Sequence, residues 1–488
     1  MADGSVPLRR LISRLPDDTR VDGDLDACVV RAIAHDSRAV TPGALFVAVE
    51  GTQVDGHAFV LQAIANGASA VVVERPLDAP ATAIIVQVAD ARRALSTLAA
   101  AFYGDPSRAL DVVGVTGTNG KTTTVHMLAA ILDAAGRPCG VIGTIGASFG
   151  QQTWKLENTT PLPPELHRLM AAMRDAGARS IAMEVSSHAL ALGRVDDLRF
   201  RVGALTNITR DHLDFHATIE EYARAKRRLF ALADAAVLNA GDAYGECWAR
   251  ELSDGGVPVT TYGDRAGATL AIDDVVTTSG GSRFRLDGRP YDVHLPGRFN
   301  VENAAAAIGV ALQLEIDPAT IARGLAQVRE IPGRMQRLRE DGIEVVVDYA
   351  HTPDALDRAL RALRETHGGR VAVVFGCGGD RDRGKRREMG ATAARLADRL
   401  YVTSDNPRTE DPHAIAREIV RGIGGHRHVI ELDRRRAIER AVAEARDGDA
   451  VLVAGKGHET YQIVGTSVLD FDDAAVAREA LARRGVLQ

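Results

Sequence analysis

The residues with the plainest chemical meaning lie in VVGVTGTNGKTTTVHMLAAIL, Val112 to Leu132. An apolar run, a glycine-rich turn and an amphipathic stretch follow one another, which predicts a strand, a loop and a helix. Gly117 and Gly120 let backbone N–H groups turn outwards around Thr118 and Asn119, and Lys121, Thr122 and Thr123 open the helix. A helix N-terminus with such donors favours phosphate oxygens. Lys121 is then placed to bridge the β- and γ-phosphates of ATP, and Thr122 to hold Mg²⁺. The strict motif has glycine at position 115; this chain has Val115, so the loop is a variant.

Two further residues are of the types that place cations around a γ-phosphate: Glu184, ending the run IAMEV, and His212, in RDHLD. Forming an amide from a carboxylate needs a leaving group, and ATP supplies one by making an acyl phosphate that an uncharged amine attacks. An amino acid that brings the amine carries carboxylate and ammonium groups, which guanidinium donors and carboxylate acceptors recognise. Arg381, Arg408 and Glu459 are such groups, each in a loop after an apolar run. Taken singly, Glu184 also reads as a capping carboxylate, His212 as a loop histidine, and DNPR (405–408) as a turn.

The elements that must hold these residues recur along the chain. DVVGVTG, SIAMEVSSH, IEVVVDYAHT, RVAVVFGCGGD, LYVTSDNPR and AVLVAGKGHE each read as a buried parallel strand running into a polar loop. Helical patterns lie between them at Pro353–Thr366, Lys385–Arg399 and Arg434–Arg446. This is a doubly wound α/β pattern, in which ligands sit beyond the carboxyl ends of the strands. Turns at GDPSR and IPGRMQ divide the chain into an expected smaller N-terminal α/β domain (1–110), a central P-loop ATPase-like domain with a mostly parallel sheet (111–334) and a C-terminal Rossmann-like domain (335–488). Residues 265–292 read as short, less regular β structure.

At 488 residues, 45% hydrophobic and 25% charged, the chain has an ordinary globular composition. A net charge of -6 gives no field for a phosphate backbone, so nucleic acid is not expected as a partner. Cys28, Cys139, Cys247 and Cys377 form no CxxC pair, the N-terminus has no apolar signal core, and no segment approaches the ~20 apolar residues of a membrane span. A cytoplasmic protein, not integral to the membrane and monomeric, is the expectation. A nucleotide-binding switch or scaffold would show a guanine-selectivity motif such as NKxD, which is absent.

TGTNGKTT resembles the ATP loop of the Mur ligases and their folylpolyglutamate synthetase relatives. MEVSSH, TNITRDHLDFH, YARAKRRLF, GRFNVENAAAA, PGRMQ, VVVDYAHTPDAL, GCGGDRDRGKR, SDNPRTE and GKGHE follow in that family's order. The resemblance implies that Thr122, Glu184, His212 and a carbamate on Lys226 hold two Mg²⁺ ions, that Lys121, Lys226, His212 and Arg194 are catalytic, and that Asn300 and Asn303 contact adenine. It implies that Arg334, Asp348 and His351 close over the nucleotide. By the same resemblance His35, Ser37, Thr52, Gln53 and Val54 bind the uridine diphosphate, and Asn158, Thr159, Thr160, Ser186 and Arg194 bind a muramyl dipeptide. Leu192 stands where relatives often carry glutamine. Asp405, Asn406, Pro407 and Arg408 form the DNPR segment of diaminopimelate-adding members, lysine-adding ones lacking its arginine, and Arg381, Gly455 and Glu459 join them. The implied activity is ATP-dependent addition of meso-2,6-diaminopimelate to UDP-MurNAc-L-Ala-D-Glu in peptidoglycan synthesis. A sister ligase using L-lysine or glutamate on another acceptor is the alternative, which the presence of DNPR disfavours.

Overall fold

A computed structural model describes residues 4–51, 54–77, 83–340 and 342–485. The fold is α/β, and the chain separates into two compact units. The first comprises residues 1–114, 137–203 and 225–235, the second residues 115–136, 204–224 and 236–488.

In the first unit, a five-stranded sheet runs in the order Arg20–Asp22, Ile84–Gln87, Ala68–Val73, Ala44–Val47, Ala32–Ala34. All pairings but the first are parallel. ALFV (44–47) is buried at every position, as expected of a strand covered on both faces. Leu8, Leu11, Leu95 and Leu98 pack on one face, and Val60 and Ala63 belong to the core of the other. The same unit holds Cys139–Gly143 paired parallel with Ser180–Glu184 and antiparallel with Gly146–Phe149. Helix Pro163–Asp175 buries Leu166, Leu169, Met170 and Met173 in the core that includes Ile142, Ile181 and Met183.

In the second unit, helix Lys121–Ala134 packs with helices Arg298–Gln313 and Pro318–Leu325. Strands Ala236–Asn239 and Val259–Gly263 pair in parallel. The stretch expected to be irregular around 265–292 forms a three-stranded meander, Leu270–Thr278, Gly281–Leu286 and Arg289–Val293, with a register shift between Asp273 and Val276. That bulge interrupts the alternation that would have marked the strands in the sequence.

A six-stranded sheet follows, ordered Gln336–Glu340, Ile343–Asp348, Ala450–Ala454, Val371–Phe375, Arg399–Val402, His428–Ile430. Only its first pairing is antiparallel. Helix Pro353–Thr366 has the expected bounds, because the Thr352 hydroxyl caps it by accepting from Ala355 N–H at 3.2 Å. The helix expected to reach Arg399 ends at Leu396. Asp398 draws the chain into the sheet: its N–H donates to Val371 O at 2.7 Å and its carboxylate accepts from Val371 N–H at 2.8 Å.

Candidate functional site

Strand Asp111–Thr116 runs into the phosphate loop, and helix Lys121–Ala134 starts directly after it. Gly117 (φ 142°) and Gly120 (φ 89°) take backbone angles that side chains disfavour, and the space is closed as well. A Cβ on Gly117 would stand 1.9 Å from Thr206 Oγ1, and one on Gly120 2.1 Å from Asn303 Oδ1. The loop is pinned from below: Thr118 N–H donates to Asn207 O (2.8 Å), Asn119 N–H to Asn207 Oδ1 (3.0 Å), and the Thr206 hydroxyl to Asn119 O (2.6 Å). No side chain caps the helix at Gly120, which leaves its amino end to an anion. Lys121 Nζ folds over the loop, 2.9 Å from both Gly117 O and Thr118 O, and Thr123 is buried on the helix.

Asn300 and Asn303 are buried on helix Arg298–Gln313. Asn300 donates to Pro296 O (2.8 Å) and accepts from Asn303 Nδ2 (3.1 Å), and Asn303 Oδ1 is the atom that closes the space beside Gly120. A hollow of about 170 Å³ beside the loop is lined by Asn207, Asp242, Asp264, Arg298, Glu302 and Arg358 among others. Arg334 stacks over the Tyr349 ring at 4.6 Å and donates to Thr122 Oγ1 at 2.8 Å. Asp348 accepts from Met335 N–H at 2.8 Å, and burial pushes its carboxyl up against the opposing pull of Arg334. The structure therefore bonds Arg334 to Thr122 and sets its charge near Asp348, whose carboxylate is bonded to the next residue's backbone.

His212 sits in the left-handed region (φ 53°), a strained conformation for a residue with a side chain. Its Nε2 is 3.4 Å from Asp211 Oδ2. Burial alone would raise the Asp211 carboxyl, but His212, His351, Lys385 and Lys121 face it and hold it below the usual carboxylate range. His351 is pushed down by burial and by Lys385, against the opposing pull of Asp211. The sequence reading missed Asp211 and Lys385. Asp211 adjoins the chosen histidine, and Lys385 lies 264 places after Lys121, a separation that only folding closes.

In the first unit, Glu184 ends strand Ser180–Glu184 and is 1% exposed. Its two oxygens accept from Thr144 N–H (2.8 Å) and Thr144 Oγ1 (3.0 Å). Thr160, Ser186 and Arg194 meet there: Thr160 Oγ1 donates to Glu184 O (2.9 Å) and accepts from Ser186 N–H (3.0 Å), and Arg194 Nη1 donates to Thr160 O (2.9 Å). Thr159 lies 3.2 Å from Thr144 Oγ1, with Asn158 half-buried beside it. His35 is exposed, and Asp36, Arg194 and Glu157 act on it electrostatically. Ser37 is instead engaged internally, donating to Gln62 Oε1 at 3.0 Å. Val54 is 56% exposed, and Thr52 and Gln53 lie outside the described residues. Leu192 lines a hollow of about 1010 Å³ with Arg14, Asp90, Arg93 and Arg228 among others. Lys226, on helix Ile219–Arg227, is 1% exposed, against the expectation that composition alone sets for a basic helix.

The third group gathers at the carboxyl ends of strands Val371–Phe375, Arg399–Val402 and Ala450–Ala454. Asn406 Nδ2 donates to Glu459 Oε2 at 3.0 Å. Arg408 Nη1 donates to Gly379 O at 2.8 Å, its backbone held at φ 50° by Arg408 N–H to Ile463 O (3.1 Å). Arg381 and Arg408 flank Gly378: a Cβ there would be 3.0 Å from Arg408 Nη1 and 3.8 Å from Arg381 Cγ. Pro407 O accepts from Glu410 N–H, Asp405 O from Gln462 Nε2, and Gly455 N–H reaches Asp348 O at 3.1 Å. Lys456, Arg386 and Arg434 are buried supports that the sequence reading passed over. Their signal was weak, since arginine and lysine in α/β chains are mostly exposed.

The Mur ligase middle domain model matches residues 115–311, the Mur ligase glutamate ligase domain model residues 333–457, and the Mur ligase family catalytic domain model residues 29–103. Among curated relatives, the UDP-N-acetylmuramoyl-L-alanyl-D-glutamate--2,6-diaminopimelate ligase of Syntrophomonas wolfei is 45% identical, covering 94% of this chain and 96% of its own. The ligase of that name from Chlorobaculum tepidum is 48% identical over 91% of each chain. A solved structure of a ligase with the same name is 33% identical with a TM-score of 0.70, covering 99% of both chains. MurF ligase of Thermotoga maritima in complex with ADP shares the fold at 22% identity, TM-score 0.63, over 93% of this chain and 97% of its own. The chain belongs to the Mur ligase family.

Proposed function

We propose that this ligase joins the amino group of meso-2,6-diaminopimelate to the D-Glu carboxylate of UDP-MurNAc-L-Ala-D-Glu, consuming ATP, as a step of peptidoglycan precursor synthesis. The observation that carries this reading is the Asn406, Arg408 and Glu459 cluster in a chain similar over nearly its whole length to diaminopimelate ligases. ATP as co-substrate is supported by the ADP complex of a fold relative and by the glycine-walled loop.

Residues 1–110 are assigned to the UDP-sugar, 111–334 to ATP and 335–488 to the amino acid. Lys121 and the loop amides receive the phosphates, with Arg334 and Asp348 beside Thr122. Asn300 and Asn303 act on adenine by shaping the hollow next to them. His35, Ser37 and Val54 serve the uridine diphosphate, with Thr52 and Gln53. Asn158, Thr159, Thr160, Ser186 and Arg194 hold the muramyl dipeptide. A carboxylate oxygen attacks the γ-phosphorus, ADP leaves, and the acyl phosphate forms; the neutral amine then attacks its carbonyl carbon and phosphate departs. The donor types of Thr122 and His212 in one unit, and of Glu184 and a carbamate on Lys226 in the other, suit Mg²⁺, which would neutralise the charge of the transferring phosphoryl group. Burial of the Lys226 side chain supports the carbamate, because an amine kept from water is the form that takes up carbon dioxide. No helix among the described residues is long and apolar enough to cross a membrane. We assign the protein to the cytoplasm, where ATP and the UDP-sugar are available, as a monomer.

Phosphate release with UDP-MurNAc-L-Ala-D-Glu and ATP, run separately with meso-diaminopimelate and L-lysine, tests the reading. Release with diaminopimelate and about 10³-fold less with lysine is expected, because the half-buried Arg408 guanidinium then lacks a carboxylate partner. Equal rates, or none with either, would sink it.

A further inference from the structure

Lys456 is the second residue of GKGHE and is fully buried, at 0% exposure. Its Nζ lies 3.0 Å from Asn406 Oδ1 and 3.0 Å from Glu459 Oε2, and 5.4 Å from the centre of the Tyr461 ring. Asn406 Oδ1 accepts a second bond from Ile463 N–H at 3.0 Å, so two donors fix which end of the amide is oxygen. The Asn406 amino group is thereby turned to Glu459 Oε2, at 3.0 Å. Glu459 Oε2 accepts from both Lys456 and Asn406, while no described residue bonds Glu459 Oε1.

We infer that Lys456 is a positioning residue for the incoming amino acid: it locks Asn406 and one Glu459 oxygen so that the other receives the substrate's ammonium group, an inference that rests on the diaminopimelate reading of this cluster. A buried ammonium is costly unless paired, so its place under two proposed ligand residues calls for a reason. The surrounding charge supplies one. Arg434 is fully buried against Asp473 through two bonds of 2.7 Å, and Asp405 and Glu459 also act on it. Two cations thus face three carboxylates, leaving this inner network one negative charge, the sign that attracts an ammonium group. Without Lys456 the network would carry two, and Asn406 alone would hold Glu459 Oε2. Arg408 stands apart on Gly379 O, able to take a carboxylate at the other end of a zwitterion.

The test compares Lys456→Met, Glu459→Gln, the double variant and Arg408→Ala by steady-state kinetics with UDP-MurNAc-L-Ala-D-Glu saturating. Lys456→Met is expected to raise the diaminopimelate KM about 10- to 100-fold, with the ATP KM within about twofold, the effect of a lost charge-assisted bond. Acting through Glu459, it should add nothing to Glu459→Gln, so the double variant should match that single variant within about twofold. Lys456→Arg should restore part of the loss. If Glu459→Gln and Arg408→Ala leave the diaminopimelate KM unchanged, the cluster is not the amino-acid site and the underlying reading falls. If those two raise it while Lys456→Met does not, or if the two effects multiply, only the role of Lys456 is overturned. Should Lys456→Met fail to melt cooperatively, the double variant replaces it against Glu459→Gln; if that also fails to fold, Lys456 is a fold residue and the inference is wrong.

Discussion

Lys121 folds its ammonium onto two carbonyls of its own loop. Lys121→Ala is expected to keep its melting temperature and lose at least about 100-fold in phosphate release, the usual cost of removing a transition-state charge; more than a tenth of wild-type activity would remove Lys121 from the phosphates. Lys226 differs, being buried in a basic helix where a surface cation would be expected. Lys226→Ala should be inactive and regain part of its rate with acetate, which returns a missing anion, whereas full activity without acetate would end the carbamate proposal. Arg408→Ala should lose most activity with diaminopimelate and narrow its advantage over lysine, while the KM for ATP stays within about twofold. An unchanged preference in a competition assay would make DNPR a turn and place selectivity elsewhere.

Among the elements, the loop from Gly376 to Arg383, which runs into helix Gly384–Leu396, and the loop from Thr403 to Asp411 matter most, because they carry Arg381 and Arg408. Arg386, fully buried, bonds Glu410 at 2.7 and 2.9 Å and Glu418 at 2.8 Å, tying the two loops together. The Arg386 guanidinium beside it holds the Glu410 carboxyl down at about 2. A lowered carboxyl contributes stability above its unfolded value and loses it as pH falls towards the folded one. Between about pH 4.5 and 2 the melting temperature of wild type should therefore fall more steeply than that of Glu410→Gln; parallel curves would show the pair to be idle. The helices that begin at Pro353 and Arg434 were legible, and Thr352 and Asp433 cap them at the positions their residue types favour, whereas helix Pro412–Ile423, capped by Asp411, was not read from the sequence. The meander of residues 270–293 was not, since its bulge shifts the alternation on which a strand is recognised.

The whole chain combines sheets with separate cores. The six-stranded sheet has its own apolar layers on both faces, one built on Leu356, Leu360 and Ile419, the other on Ile438, Val442 and Leu481. Residues 335–488 made alone should therefore unfold cooperatively with α/β circular dichroism, and a chain without a melting transition would refute independent folding of this part. The sequence by itself determined the α/β class, the phosphate loop and the three groups of residues at strand ends, because each rests on local order: an apolar run, then glycine, then a polar side chain. Roles that no local pattern carries, such as those proposed for Lys226 and His35, rest on family resemblance alone. Only the tertiary structure decided which residues support the named ones. Asn207 under the phosphate loop, Lys385 facing Asp211, and Lys456 beneath Asn406 come from segments tens to hundreds of residues away. A buried cation is defined by the partners that surround it, and those partners meet only when the chain has folded.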